Sequence, residues 1–122
     1  MSKLPPTSPN KALGTSGEKI ACQYLVKQHF QILETNYHFK HLEIDIIALD
    51  QNKHELVFFE VKTRSNSRLA SPISQYKLIQ LNRLIQAAQK YITDKSLNYP
   101  YRFDIIGILP NQIDHLENIT AE

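Results

Sequence analysis

The stretch at residues 42–63, LEIDIIALDQNKHELVFFEVKT, decides the fold of this 122-residue chain. Two runs rich in isoleucine, valine and phenylalanine favour strands, and they lie on either side of a polar turn at 50–53. Two strands that are joined by so short a turn pair as an antiparallel hairpin. We therefore predict one strand at 42–49 and a second at 55–63.

Helical and extended patterns continue on both sides of this hairpin. Thr15 and Glu18 have the spacing of a capping box, which predicts a first helix from Thr15. In chain order, the other predicted elements are a strand around Ile32 and Leu33 that ends near Asn36, a helix at 72–93, a strand at 102–109 and a short strand at 114–119. This order predicts an α/β fold in which helices pack around one mixed sheet.

Charged side chains interrupt the two apolar strands of the hairpin. Strand periodicity places Phe58, Glu60 and Lys62 on one face of the second strand. Asp45 interrupts an isoleucine-rich run on the first strand. Charges in strands that are apolar on both faces are costly unless they are paired or bind a ligand. Two carboxylates held close together repel each other, and a divalent cation is the usual remedy.

These residue types suit magnesium chemistry on phosphate. Mg²⁺ prefers hard oxygen ligands, which the carboxylates of Asp45 and Glu60 and the main-chain carbonyl of Val61 supply. Lys62 then lies beside the attacking water and the scissile phosphate, where it orients the nucleophile or offsets developing charge. Glu18 adds a further carboxylate if the first helix packs over the hairpin.

Each of these residues also has a structural interpretation. Glu60 and Lys62 suit an ion pair at the end of a sheet, and Asp45 suits a pairing with a basic residue. Glu18 is explained by the capping box alone. The combination of an aspartate strand, a turn and a Glu-x-Lys strand is the feature that favours a catalytic site.

Three basic residues follow the Glu-x-Lys strand: Arg64, Arg68 and Lys77. Together with Lys62 they could contact phosphates on either side of a cut, which predicts nucleic-acid binding. The alternative is a scattering of solubilising charges. The formal net charge of +2 permits nucleic-acid binding without showing it.

Length and composition bound the organisation of the chain. Its size fits one domain, which we place at 14–122 behind a proline-containing flexible leader at 1–13. A single cysteine, Cys22, allows no internal disulfide. No apolar run has the length of a signal peptide or a membrane span, so we expect a cytoplasmic protein with no membrane partner.

The hairpin residues also resemble a known signature. Asp45, Glu60 and Lys62 resemble the PD-(D/E)xK motif of restriction-endonuclease-like nucleases. The runs LEIDIIA at 42–48 and LVFFEVKTR at 56–64 are more closely similar to the YraN-like family, small bacterial proteins suggested to be endonucleases related to archaeal Holliday-junction resolvases. Further similar positions are Gly17, Glu18, Asn36, Tyr37, Lys77, Arg102, Phe103 and Asp104.

The resemblance implies a restriction-endonuclease-like α-β-β-β-α-β core, with Asp45 and Glu60 as metal ligands and Lys62 as the catalytic lysine. It also implies that Glu18 matches an acidic residue that some relatives contribute from the first helix. The family commonly has glycine where this chain has Leu42, and tends to have glycine in the loop where this chain has 69–72, LASP. Neither departure removes an expected ligand, so both bear on the substrate more than on the site.

We expect a Mg²⁺- or Mn²⁺-dependent endonuclease that acts on DNA, with branched or damaged DNA in repair or recombination as the expected substrate. A homodimer is expected by analogy with resolvases, which cut two strands symmetrically. The alternative is a module that binds nucleic acid or a protein partner and keeps the nuclease fold without catalysis. Nothing in the sequence separates RNA from DNA as the substrate.

Overall fold

A computed structural model describes residues 16–64 and 78–120 of the chain. The predicted leader, Thr15, Arg68, Lys77 and the predicted helix start at 72–77 therefore lie outside the described residues. The described elements are α1 (Ser16–Lys27), β1 (Phe30–Phe39), β2 (Leu42–Asp50), β3 (Glu55–Thr63), α2 (Leu78–Lys95), β4 (Tyr101–Leu109) and β5 (Gln112–Leu116). No helix in this part of the chain is both long and apolar enough to cross a membrane.

The five strands form one mixed sheet in the order β1-β2-β3-β4-β5. β2 and β3 pair antiparallel, so the predicted hairpin is confirmed. β3 and β4 pair parallel, and the chain passes through α2 between them. The α-β-β-β-α-β order and the mixed sheet confirm the fold class that the resemblance implies.

The turn between β2 and β3 is built by the side chain of Asp50. Its Oδ1 atom accepts hydrogen bonds from the backbone N–H groups of Asn52 at 3.0 Å and Lys53 at 3.2 Å. His54 completes the turn with a φ of 55°. An aspartate that bonds the backbone two residues ahead is a common way to close such a turn. This turn holds the register of the hairpin.

Two predicted strand boundaries were wrong. β1 continues past Asn36 to Phe39, because Asn36 takes a positive φ of 51° while the strand keeps its pairing, with Tyr37 opposite Ile44. Asparagine tolerates this left-handed conformation better than most residues, so it does not end the strand. β5 covers Gln112–Leu116 rather than 114–119, because pairing with β4 begins with Gln112 opposite Leu109.

The sheet separates two apolar cores. One core lies between the sheet and α2, and Phe58, Leu84 and Tyr91 are buried in it. The other lies between the sheet and α1, where Leu25 and Phe59 are buried. Neighbouring residues of β3 therefore face opposite helices, as strand alternation predicts.

A buried arginine in β4 joins carboxylates from β2, β3, β4 and the segment after β5. Arg102 is only 4% exposed, and it forms ion pairs with Asp104 at 3.1 Å, Asp50 at 3.1 Å, Glu55 at 2.7 Å and Glu117 at 3.4 Å. Burial alone would lower the pKa of Arg102, but its hydrogen bonds to these carboxylates raise it further above its ordinary value. Arg102 therefore neutralises carboxylates from the hairpin turn, β4 and the segment after β5.

A histidine extends this cluster to α1. The Nε2 atom of His115 lies 2.7 Å from Oδ2 of Asp104, and its Nδ1 atom lies 2.8 Å from the hydroxyl of Tyr24. Burial would raise the pKa of Asp104, but the hydrogen bonds from His115 and Arg102 hold it below its ordinary value. The cluster thus ties α1 to β4 and β5 through polar contacts.

Replacing the buried arginine tests its structural role. Arg102→Met leaves the Asp50 and Asp104 carboxylates buried without a counter-charge, so we expect a loss of about 3–5 kcal/mol in the free energy of unfolding, measured with urea. The matched control is Lys90→Met, which breaks the exposed pair with Asp94 and should cost less than about 1 kcal/mol. Equal losses in the two variants would contradict a special role for Arg102.

Candidate functional site

The hairpin register brings the two predicted carboxylates together. Pairing between β2 and β3 ends with Ile46 opposite Phe59, and continuing this register places Asp45 opposite Glu60. Beyond Ile46 the side chain of Asp45 takes the place of a backbone acceptor. Its Oδ2 atom accepts a hydrogen bond from the backbone N–H of Val61 at 2.7 Å. Asp45 thus contacts β3 through its side chain where the strand pairing stops.

The pKa values of both carboxylates are raised above their ordinary values. Burial, and then the negative charge of Glu60, raise the pKa of Asp45 to about 7, although the hydrogen bond from Val61 opposes this. Burial also raises the pKa of Glu60, while the positive charge of Lys62 and a hydrogen bond from Asp45 lower it in part. A positive charge supplied between its members favours the fully ionised form of such a pair.

Lys62 lies directly beside this pair. Its Nζ atom is 3.6 Å from Oε1 of Glu60, and the two side chains are 19% and 24% exposed. Both residues face the α2 side of β3, as the alternation of the strand predicts. The structure therefore brings together Asp45, Glu60 and Lys62, the three residues predicted from the sequence.

Glu18 approaches the pair from the opposite layer. It lies in the first turn of α1, it is 8% exposed, and its charge contributes to the raised pKa of Asp45. The approach of α1 that the prediction required is therefore present. The ligand role of Glu18, like that of the Val61 carbonyl, stays a prediction.

Of the three basic residues predicted to contact nucleic acid, only Arg64 lies in the described part of the chain. Its backbone N–H donates to the carbonyl of Ile108 at 2.9 Å, and its Nη1 atom donates to the carbonyl of Thr63 at 3.0 Å. These bonds hold Arg64 just past the end of β3. Arg68 and Lys77 lie outside the described residues, so their roles stay predictions.

A cleft beside Glu60 contains residues that the sequence analysis did not place at the site. Its volume is about 190 Å³. His41 and Glu43 line it from the β1–β2 turn and the start of β2, and Arg83 lines it from α2. No short motif marks Arg83, because its position depends on how α2 packs on the sheet.

A second group of potential metal ligands lies at the Arg102 cluster. Within residues 16–64 and 78–120, Asp104, His115 and Glu117 place one ligand atom each within 4.8 Å of one another. The oxygens of Asp104 already accept bonds from Arg102, His115 and the N–H of Asn118. Since this carboxylate is saturated and neutralised, the group serves as a structural charge cluster.

Comparison with known proteins gives the family of the chain. Residues 17–108 match the family described as "Uncharacterised protein family UPF0102". The chain belongs to this family, which is the YraN-like family that the sequence resembles. The matched region begins in α1 and ends in β4, so it contains Glu18, Asp45, Glu60 and Lys62.

Members of the UPF0102 family from distant bacteria match over most of their lengths. A UPF0102 protein of Parabacteroides distasonis is 38% identical over 110 residues, covering 87% of this chain and 89% of the relative. A UPF0102 protein of Clostridioides difficile is 40% identical over 112 residues, covering 89% and 96%. A UPF0102 protein of Thermotoga maritima is 40% identical over 102 residues, covering 84% and 91%.

Among solved structures, the "Structure of EndoMS-dsDNA2 complex" aligns with the chain at a TM-score of 0.42 and 12% identity. The alignment covers 86% of this chain and 42% of the other. So weak a likeness supports no conclusion about function.

The raised pKa of Asp45 makes the stability of the protein depend on pH. The pKa of Asp45 is about 7 in the folded protein and about 4 in an unfolded chain, so the folded state holds the Asp45 proton more tightly. The stability that follows from this is fully present below about pH 4 and is lost as the pH rises through 7. Asp45→Asn carries no such proton and keeps an oxygen for the Val61 N–H.

We therefore expect Asp45→Asn to be more stable than the wild type by about 1–3 kcal/mol at pH 8, with the difference shrinking towards pH 4. Urea unfolding in EDTA at several pH values measures this difference. Asp94→Asn, at an exposed position of α2, should show no such trend. A pH-independent difference for Asp45→Asn would show that this carboxyl titrates normally.

Proposed function

We propose that the protein is a metal-dependent endonuclease that hydrolyses phosphodiester bonds in DNA, with branched or damaged DNA as its substrate. The observation that carries the proposal is the half-buried pair of Asp45 and Glu60 with Lys62 3.6 Å from Glu60. Paired carboxylates in this setting are typical of functional sites, because their raised pKa values have a specific physical cause.

The residues of the pair fit a divalent cation. They supply hard carboxylate oxygens, and their mutual repulsion opposes full ionisation without added positive charge. Asp45 and Glu60 would hold Mg²⁺ or Mn²⁺, with the Val61 carbonyl and Glu18 as further proposed ligands. When bound, such an ion polarises a phosphoryl oxygen and favours deprotonation of an attacking water.

Lys62 places a positively charged side chain beside the Asp45–Glu60 pair. Its ammonium group lies on the same face as Glu60, so it can contact a phosphate that approaches the pair. There it would orient the attacking water or offset the negative charge that develops on the phosphate oxygens. Arg64, Arg68 and Lys77 are proposed to contact neighbouring phosphates, which positions the strand without reading its sequence.

A non-catalytic module remains a second candidate function. The observation that favours it is that groups of the protein already contact both carboxylates: the Val61 N–H bonds Asp45, and Lys62 pairs with Glu60. In that case Asp45 and Glu60 would serve a structural or partner-dependent role. The two candidates differ in whether Lys62 and a divalent cation are needed for a chemical reaction.

Two further proposals concern the whole chain. We propose that residues 14–122 form a single domain behind a leader at 1–13. We also propose a homodimer, because a symmetric cut in two strands needs two copies of one site.

A cleavage assay on linear, single-stranded, flapped and four-way-junction DNA tests the catalytic role of Lys62. We expect cleavage with Mg²⁺ or Mn²⁺ and none in EDTA. Lys62→Ala should lower the rate by about a hundredfold or more, because it removes the charge that offsets the transition state. Lys95→Ala, which removes an exposed lysine from the end of α2, should retain the wild-type rate.

The pattern of losses separates the two candidate functions. Metal-dependent cleavage that Lys62→Ala retains in full would contradict the proposed mechanism. DNA binding that is unaffected by metal, without cleavage of any substrate, would favour the non-catalytic module. Cleavage of RNA in place of DNA would keep the mechanism and change the substrate.

A further inference from the structure

The cleft beside Glu60 has two walls that come from different parts of the chain. His41, Leu42 and Glu43 form one wall, and Arg83 and Leu84 of α2 form the other. We call it the Arg83 cleft. Its volume of about 190 Å³ is smaller than the ~300 Å³ at which pockets for drug-sized ligands begin, so it suits one small group of a longer ligand.

The polar residues of the Arg83 cleft lie at its rim. Leu42 and Leu84 are buried, whereas His41, Glu43 and Arg83 are exposed. Apolar side chains beneath polar rim groups hold those groups apart, so a ligand can enter between them. The cleft therefore leads from the surface to Glu60.

Arg83 is the cation of this cleft, and no ion pair in the described part of the chain includes it. Two lysines in the described part of the chain do form ion pairs: Lys90 with Asp94 at 3.0 Å, and Lys53 with Glu117 at 3.5 Å. A guanidinium group binds phosphate through two parallel hydrogen bonds, which makes arginine a preferred phosphate contact. Arg83 is thus placed to bind an anionic group from a ligand.

The charge of the cleft limits which anion can enter. Glu43 and Glu60 both line it, and their negative charges repel an isolated phosphate. A phosphate whose neighbour along the same strand is held at the Asp45–Glu60 pair by a divalent cation meets less repulsion. A DNA strand fits this condition, because it presents phosphates at regular spacing.

We propose that the Arg83 cleft binds the DNA backbone phosphate next to the one that is cleaved, with Arg83 contacting the phosphate from α2 and His41 contacting it from the opposite wall. This inference rests on the proposed nuclease function, because it places the strand by reference to the Asp45–Glu60 pair. The strand then runs between the β1–β2 turn and α2, with Glu60 beneath it.

The test compares two variants that each remove one positive charge from α2. Arg83→Gln loses the cleft cation, whereas Lys95→Gln loses an exposed cation twelve residues further along the helix, at a distance of about 18 Å. Both are combined with Lys62→Ala, so that DNA cleavage is slowed about a hundredfold or more during the measurement. Affinity for duplex and single-stranded DNA is measured by fluorescence anisotropy in Mg²⁺ over a range of salt concentrations.

In Mg²⁺, we expect Arg83→Gln to weaken binding about tenfold relative to Lys95→Gln. The slope of log affinity against log salt concentration should become shallower by about 0.9 for duplex DNA. This is the change that follows the loss of one phosphate contact. Without the Lys62→Ala change, Arg83→Gln should raise KM for cleavage more than it lowers kcat. His41→Ala should weaken binding in the same direction.

The outcomes separate this inference from the function on which it rests. If the protein cleaves or binds DNA but Arg83→Gln and Lys95→Gln give equal affinities and equal salt dependence, the Arg83 cleft does not hold a phosphate, and the nuclease proposal stands. If the wild type neither binds nor cleaves DNA, both proposals are wrong. Thermal unfolding midpoints of the two variants should agree, since both positions are exposed.

Discussion

The antiparallel register between β2 and β3 is the constraint on which the proposed site depends. β3 lies at the centre of the sheet, with β2 on one side and β4 on the other, so its position is fixed from two directions. A slip of one residue would turn Glu60 towards α1 and separate it from the cleft on the α2 side. The Asp50 turn at one end of the hairpin and the Val61–Asp45 hydrogen bond at the other both oppose such a slip.

Acidic residues lie at both ends of the hairpin, but the protein neutralises them to different extents. At the turn, the acidic residues Asp50 and Glu55 pair with the buried Arg102, so their charges are neutralised within the protein. At the far end, Asp45 and Glu60 lie side by side, and the positively charged Lys62 pairs with Glu60. A protein tolerates such a conflict when a ligand relieves it, and this is the physical basis for a cation at the second end.

The same difference in neutralisation is why we interpret Asp45 and Glu60 as a metal site, and Asp104, His115 and Glu117 as a structural charge cluster. Asp104, His115 and Glu117 each place a ligand atom within 4.8 Å of the other two, as a metal site requires. However, Arg102 already supplies the positive charge and fills the hydrogen-bonding capacity of Asp104. Hydrogen bonds from His115 and Arg102 hold the pKa of Asp104 below its ordinary value, whereas burial and the charge of Glu60 raise the pKa of Asp45.

Much of the fold could be predicted from the sequence because the hairpin has strong local signals. The apolar run of β3 and the polar turn at 50–53 are properties of short segments, and strand periodicity then places Glu60 and Lys62 on one face. The end of β1 was missed because Asn36 keeps its strand pairing despite a positive φ. Asparagine at such a position is more typical of a turn.

Contacts between distant segments could not be predicted in the same way. Arg102 meets Asp50 across 52 residues, and His115 meets Tyr24 across 91 residues, so neither contact leaves a local pattern. Arg83 is exposed on α2, and nothing in its neighbouring sequence marks it as part of a site. Its place in the cleft depends on the packing of α2 beside the β1–β2 turn.

The central claim is that a divalent cation binds at Asp45 and Glu60, and a Mn²⁺ titration followed by amide NMR tests it most directly. Paramagnetic Mn²⁺ broadens the signals of nearby amides without any need for catalysis. If the ion binds there, the amides of Asp45 and of residues 60–62 broaden first, and Asp45→Asn removes this effect. Broadening that begins instead at Asp104 and His115, or that is unchanged in Asp45→Asn, would contradict the claim.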